Sequence, residues 1–158
     1  MTEINDPENT IVIETTKGRV VVKLMPDLAP AHVARVKELA REHFYDGVVF
    51  HRVIDGFMAQ TGDPTGTGMG GSEKPDLKAE FSNMKHVRGT CSMARSQNPN
   101  SANSQFFICF EDAPWLDRQY SVWGQVIEGM DNVDKIKRGE PVKDPDSIVT
   151  VRVAADLD

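Results

Sequence analysis

The sequence lacks most of the features that announce a chemistry. No apolar run is long enough to cross a bilayer, which excludes a helical membrane span. No basic stretch exceeds a pair and the formal net charge is -6, so a nucleic-acid surface, which needs clustered cations, is not expected. There are two cysteines, Cys91 and Cys109, both inside apolar runs and in no CxxC pair. They read as buried, reduced thiols acting as small hydrophobes. The histidines at 32, 43, 51 and 86 show no HExxH spacing and no pairing with the cysteines, so no metal is expected. GKS, GKT and GxSxG are all missing, which removes the P-loop and the nucleophile elbow. A Ser-His-Asp group assembled from distant positions stays open on spacing alone, with nothing local to support it.

One motif is present in form only. "GTGMGG", Gly66 to Gly71, matches GxGxxG. A dinucleotide site needs a strand before it and a helix opening at it. Here "SEKPDL" follows, Pro75 argues against a helix, and "NMKHVR" further on offers no acid for a ribose. The segment reads as a Gly-rich loop, and no cofactor is expected. The opening "MTEINDPENT" is acidic and polar and does not read as a signal peptide, so a cytoplasmic protein is expected.

What is present suits one domain: 158 residues with 39% hydrophobic content. Residues 1–9 read as a flexible tail and 10–158 as a single domain. "TIVIETTKGRVVVKLMP" reads as two strands joined near Lys17-Gly18. "AHVARVKELAREHF" spaces Val33, Val36, Ala40 and Phe44 as one helix face, with Pro30 in its first turn. Thr61 to Pro75 is loop. β-like runs return at "TCSMA", "QFFICF", "SVWGQVIEG" and "SIVTVRVA". "GMDNVDKIKRG" predicts a short helix with Met130, Val133 and Ile136 on one face and Gly139 ending it. Many short strands with two isolated helices predict a closed antiparallel barrel with a helix at each end, because closure removes exposed strand edges.

"FHRVIDGFMAQTGD" stands out from this pattern. It is a hairpin around Asp55-Gly56, yet it carries Arg52 and Gln60 among apolar residues. Arg52 as a wall residue, snorkelling its stem over apolar surface, is one reading. Register offers another. A two-residue loop would put Arg52 and Gln60 on opposite faces; a three-residue loop pairs Arg52 with Gln60 and Ile54 with Met58. The longer loop is expected, since it lets the Gln60 amide oxygen orient the guanidinium.

These residues, with "SMA", "NSQFFI" and "PWLDRQYSVWGQV", resemble the cyclophilin family of peptidyl-prolyl isomerases, in particular its bacterial cytosolic branch, over about Thr10 to Val153. The resemblance implies an eight-stranded antiparallel barrel capped by two α-helices, with a substrate groove on its outside. Arg52 matches the family's catalytic arginine and Gln60 the glutamine that supports it. Phe57, Met58, Phe107 and Leu116 match the pocket for the substrate proline ring. Ala94 and Arg95 match the segment whose backbone bonds to the peptide. His51 matches a histidine beside the groove, and Trp115 the tryptophan contacted by cyclosporin. Tyr120 stands where the best-known eukaryotic members have His, Arg95 where they have Asn, and Trp123 replaces a common Phe. "ARSQNPNSANSQ" is one residue longer than the eukaryotic loop. The implied partners are proline-containing peptides and unfolded proteins, with cyclosporin through Trp115. A monomer is expected, without metal or cofactor. A proline-peptide binding module or chaperone without turnover is the alternative.

Overall fold

The computed structural model describes residues 6–157. Strands β1 (Thr10–Thr15) and β2 (Gly18–Leu24) form a hairpin in which Thr15 pairs with Gly18. Helix α1 (Pro30–Arg41) follows, then a second hairpin of β3 (Arg52–Ile54) and β4 (Met58–Thr61). After a long irregular stretch come β5 (Thr90–Met93), β6 (Phe106–Cys109), β7 (Val122–Glu128), α2 (Met130–Val133) and β8 (Ile148–Val153). The tail expected over residues 1–9 falls partly on residues 1–5, outside the described residues. Pro7–Asn9 form a 3-10 turn, and Glu8 pairs with Arg41 at 2.9 Å and with Lys37.

All strand pairings are antiparallel, in the order β3-β4-β6-β5-β7-β2-β1-β8. The closed barrel expected from the sequence is corrected by this order. The sheet is an open half-barrel whose ends, β3 and β8, do not pair as strands; the segment before β3 meets the start of β8 through an isolated bridge, Val49 to Ser147, flanked by Ile148 N–H on the Val48 carbonyl and Phe50 N–H on that of Asp146, both at 2.8 Å. The reason is local. β3 has three residues, and its outer edge is taken by a loop: Val53 N–H donates to the Gly139 carbonyl at 2.8 Å and Gly139 N–H to Val53 at 2.7 Å. An edge covered by a loop does not need closure to be protected.

The sheet wraps one apolar core, where Ile11, Val22, Phe50, Phe106, Ile108 and Trp123 are fully or almost fully buried. A second, smaller cluster sits on the outer face: Met58, Phe107, Cys109, Ala113 and Leu116, with Ile54, Phe57, Ala94 and Tyr120 packed against it. This explains the continuous apolar run "QFFICF". Residues of β6 alternate between the two clusters, so both of its faces are buried. The cysteines follow the same alternation, with Cys91 in the core and Cys109 in the outer cluster, both free thiols. Burial, with Asp117 and Asp112 nearby, pushes the Cys109 thiol up to about 12.

Helix α1 begins on a side chain from elsewhere. The first N–H groups of α1, on Ala31 and His32, donate to the Glu80 carboxylate at 3.2 and 2.9 Å. α2 is shorter than the sequence pattern predicts, ending at Val133. Beyond it the chain tightens into turns, with Lys135 N–H on the Asn132 carbonyl and Ile136 N–H on that of Val133. The Arg138 guanidinium takes the carbonyls of Asp134 and Ile136 at 2.5 and 2.7 Å, so it folds back over this last turn.

Candidate active site

The second hairpin has the longer of the two registers considered. Arg52 pairs with Gln60, Val53 with Ala59 and Ile54 with Met58, leaving Asp55, Gly56 and Phe57 as the loop. Gly56 adopts φ +73°, a left-handed value that a side chain resists, which lets the loop close in three residues. Arg52 and Gln60 therefore share the outer face. Arg52 Nη1 lies 3.4 Å from Gln60 Oε1, and Arg52 Nε donates to Glu140. The Gln60 amide is itself held: its Nε2 donates to Gln105 Oε1 at 3.0 Å, and Gln105 Nε2 donates to the carbonyls of Gly68 and Gly70 at 3.0 and 2.8 Å.

Below the guanidinium is a depression of about 100 Å³. Phe57, Met58, Phe107 and Leu116 form its apolar part, and Arg52, Gln60, Ala94, Arg95 and Tyr120 complete the lining. Every site residue predicted from the sequence lines it except His51 and Trp115. Trp115 stands at the rim, 61% exposed, with its ring 5.5 Å from that of Phe57. His51 is turned away. It precedes Arg52, so the alternation around β3 sends its ring to the buried side, against Gly68. Neither of its ring nitrogens has a hydrogen-bond partner among the described residues. Burial holds its pKa below the ordinary value, against the pull of Asp63.

Tyr120 meets Phe107 edge-on at 5.7 Å and carries the Arg95 guanidinium 4.7 Å over its ring. Arg95 also donates to the Gln119 carbonyl from Nε and Nη2 at 3.0 and 2.7 Å, so its side chain lies folded along the groove wall. Gln60, Ala94 and Arg95 are shared with a second depression of about 430 Å³, bounded by the Gly loop and Asn103. The groove thus joins a small pocket, with four apolar side chains in its lining, to a larger one lined mostly by glycines and polar residues.

The geometry adds to two readings of the sequence, the Gly-rich loop and the open question of a Ser-His-Asp group. The Gly loop does cradle an anion, but an internal one. The buried Asp63 carboxylate accepts the N–H groups of Thr65, Gly68 and Gly70 at 2.8, 2.6 and 3.0 Å and the Thr65 hydroxyl at 2.7 Å. Burial alone would raise its pKa; the Thr65 hydroxyl and these N–H groups hold it well below the carboxylate range. A Ser-His-Asp chain also exists. His86 Nδ1 lies 3.1 Å from Asp117 and Nε2 3.0 Å from Ser92 Oγ, with the His86 ring stacked beneath Phe107 at 6.3 Å. Ser92 is fully buried, so its hydroxyl meets no substrate and the chain is a support for the pocket floor. Gln105 and Glu140 were missed by sequence reasoning.

The family model described as cyclophilin type peptidyl-prolyl cis-trans isomerase/CLD matches residues 10–154. A probable peptidyl-prolyl cis-trans isomerase of Brucella suis is 55% identical over 96% of this chain and 85% of its own. A peptidyl-prolyl cis-trans isomerase of Helicobacter pylori is 43% identical over 83% of this chain and 82% of its own. Among solved structures, a cyclophilin from Hirschia baltica superimposes with a TM-score of 0.90 at 32% identity, covering 97% of this chain and 76% of that one. A Cryptosporidium parvum cyclophilin type isomerase, crystallised in the presence of the dipeptide Ala-Pro, gives 0.85 at 29% identity, covering 91% and 98%. The chain belongs to the cyclophilin-type peptidyl-prolyl cis-trans isomerase family, and its activity is that isomerisation.

Proposed function

We propose that Arg52 is the group that accelerates rotation about the Xaa-Pro bond, with Gln60 as its orienting partner. The barrier is about 18–20 kcal/mol because twisting the amide destroys its resonance. Uncatalysed exchange takes tens of seconds or more, and millisecond turnover requires removing roughly 5–7 kcal/mol at about 1.4 per tenfold. In the twisted state the prolyl nitrogen becomes pyramidal and exposes a lone pair. A donor aimed there stabilises the transition state more than either planar ground state. The guanidinium suits this, being always charged and offering planar donors. Phe57, Met58, Phe107 and Leu116 take the proline ring, the backbone of Ala94 and Arg95 grips the flanking peptide, and rotation is confined to one bond.

The observation that carries this reading is the half-exposed Arg52 side chain, fixed by acceptors yet lining an apolar pocket. Arg52→Ala should lose about a hundredfold or more in kcat/KM on an Xaa-Pro peptide, in line with the loss of a single transition-state donor, and should stay folded. A protease-coupled assay or exchange NMR reads it. Preserved turnover would return Arg52 to the role of a wall residue, and peptide binding without turnover in the wild type would make this chain a binding module.

The substrates in this reading are proline-containing segments of unfolded or exposed chain, met by a cytoplasmic monomer whose residues 10–158 act as one domain. His51 supports the site from behind. Cyclosporin binds through Trp115, whose exposed indole offers both an apolar face and an N–H donor. Fluorescence titration should show saturation at micromolar cyclosporin, and a flat response would remove that ligand.

A further inference from the structure

One contact of Arg52 comes from outside the hairpin. Residues 138–142 run along the outer edge of β3 as a strap. Arg138 Nε donates to Asp55 Oδ1 at 3.1 Å, and its guanidinium lies 4.1 Å over the Phe110 ring. Gly139 exchanges backbone hydrogen bonds with Val53, and Val142 N–H donates to the His51 carbonyl at 3.3 Å. The hairpin is thus held at its turn, its middle and its base. Between these anchors the strap sets the Glu140 carboxylate against Arg52 Nε.

Both side chains are largely solvated, Arg52 at 42% and Glu140 at 56% exposure, so the pair contributes little to stability. Direction is what it can supply. A guanidinium has five N–H donors in one plane. Glu140 engages the Nε edge and Gln60 lies against Nη1. Two acceptors on different edges fix the rotation of the plane and leave Nη2 as a donor without an acceptor among the described residues. Without Glu140 the long side chain is held only by the 3.4 Å contact to Gln60 and samples more rotamers.

We propose that Glu140 is a positioning residue for the isomerisation, fixing the Arg52 guanidinium so that its Nη donors face the bound prolyl bond. This rests on the reading of Arg52 as the donor. Its test is a set of full-length variants: Glu140→Ala, Glu140→Gln, Arg52→Ala and the double variant Glu140→Ala with Arg52→Ala. Each is assayed for kcat and KM on one Xaa-Pro peptide, and the Arg52 Nε–H resonance is followed by NMR. Glu140→Ala should lower kcat about tenfold with KM unchanged within about twofold, as small misplacements of a catalytic group do. The Nε–H proton should exchange faster with water. Glu140→Gln, which keeps an acceptor oxygen, should restore most of both. In the Arg52→Ala background Glu140→Ala should change nothing further. An unchanged or raised kcat, a loss carried in KM, or an equal loss in the Arg52→Ala background overturns the proposal. The first would make Glu140 idle or a restraint on Arg52, and the second would make it a substrate contact. Full activity in Arg52→Ala alone would instead sink the donor reading, on a separate arm, and take the proposal with it.

Discussion

Two polar clusters meet at Gln105, and they are built on opposite terms. On one side Asp63 is fully buried, and its carboxylate is filled by N–H and hydroxyl donors of the loop that follows it. On the other side Arg52 is half exposed, with an acceptor at Nε, a long contact at Nη1 and donors left over toward an apolar pocket. Gln105 touches both, accepting from Gln60 and donating to Gly68 and Gly70. The saturated cluster holds shape, and the unsaturated one retains something to offer a substrate. Satisfaction of hydrogen bonds, more than charge or burial, separates a structural polar group from one kept for chemistry.

Substitutions at the two ends should therefore give opposite phenotypes. The largest effect expected is the hundredfold or greater loss of turnover in Arg52→Ala, with Tm within a few degrees of wild type, since an exposed ion pair stabilises little. Asp63→Ala should do the reverse. It removes the buried acceptor shared by the part-buried N–H groups of Thr65, Gly68 and Gly70, so a loss of about 1–3 kcal/mol and a Tm drop of roughly 3–10 °C are expected. Turnover per folded molecule should fall by less than about tenfold. Thermal melts beside exchange assays decide it. Comparable melting losses in both variants would erase the contrast.

The sequence carried some of this more clearly than the rest. The register of the second hairpin was legible because only one loop length puts Arg52 and Gln60 on one face. The outer cluster came only through the resemblance, by Phe57, Met58, Phe107 and Leu116; the continuous apolar run "QFFICF" was read simply as a strand, though its length of unbroken apolar residues fits a strand buried on both faces. Closure of the barrel was not, because β3 is cut to three residues and its edge is covered from Gly139, a pairing no local pattern encodes. Glu140 was hidden for the same reason, lying 88 positions from Arg52 in a loop whose path only the fold sets. The Gly loop was read only as loop, and the carboxylate it wraps, Asp63, stood just before it and went unnoticed. His51 was placed by resemblance beside the groove, whereas strand alternation alone would have put it behind Arg52.

Gln105 sharpens the comparison because it belongs to both clusters. Gln105→Leu removes the acceptor for Gln60 Nε2 and the donor to the two glycine carbonyls. One ordinary hydrogen bond is worth about 1 kcal/mol, so a drop in kcat of up to about tenfold and a comparably modest stability loss should appear together. An effect on only one of the two would mean that the clusters are separate units.

The smallest effect expected is in pH, and it sets the two clusters against each other once more. His32, His51 and His86 are buried, and burial lowers each pKa below 6.5, opposed by Glu80, Asp63 and Asp117 respectively. A histidine pKa lowered by folding means that the unfolded chain binds protons first as pH falls. Its contribution is therefore present above about 6.5 and lost as pH falls from there through the folded values. The lowered pKa values of Asp63, Glu80 and Asp117 act in the same direction further down, below about pH 4. Tm should accordingly fall between pH 7.5 and 5, whereas kcat/KM per folded molecule should stay nearly flat from about pH 6.5 to 8.5, because nothing assigned to the reaction titrates there. A bell-shaped activity profile with a constant Tm would invert that pattern. It would draw His51, the ring buried behind Arg52, into the chemistry and end the division between a saturated support and an open site.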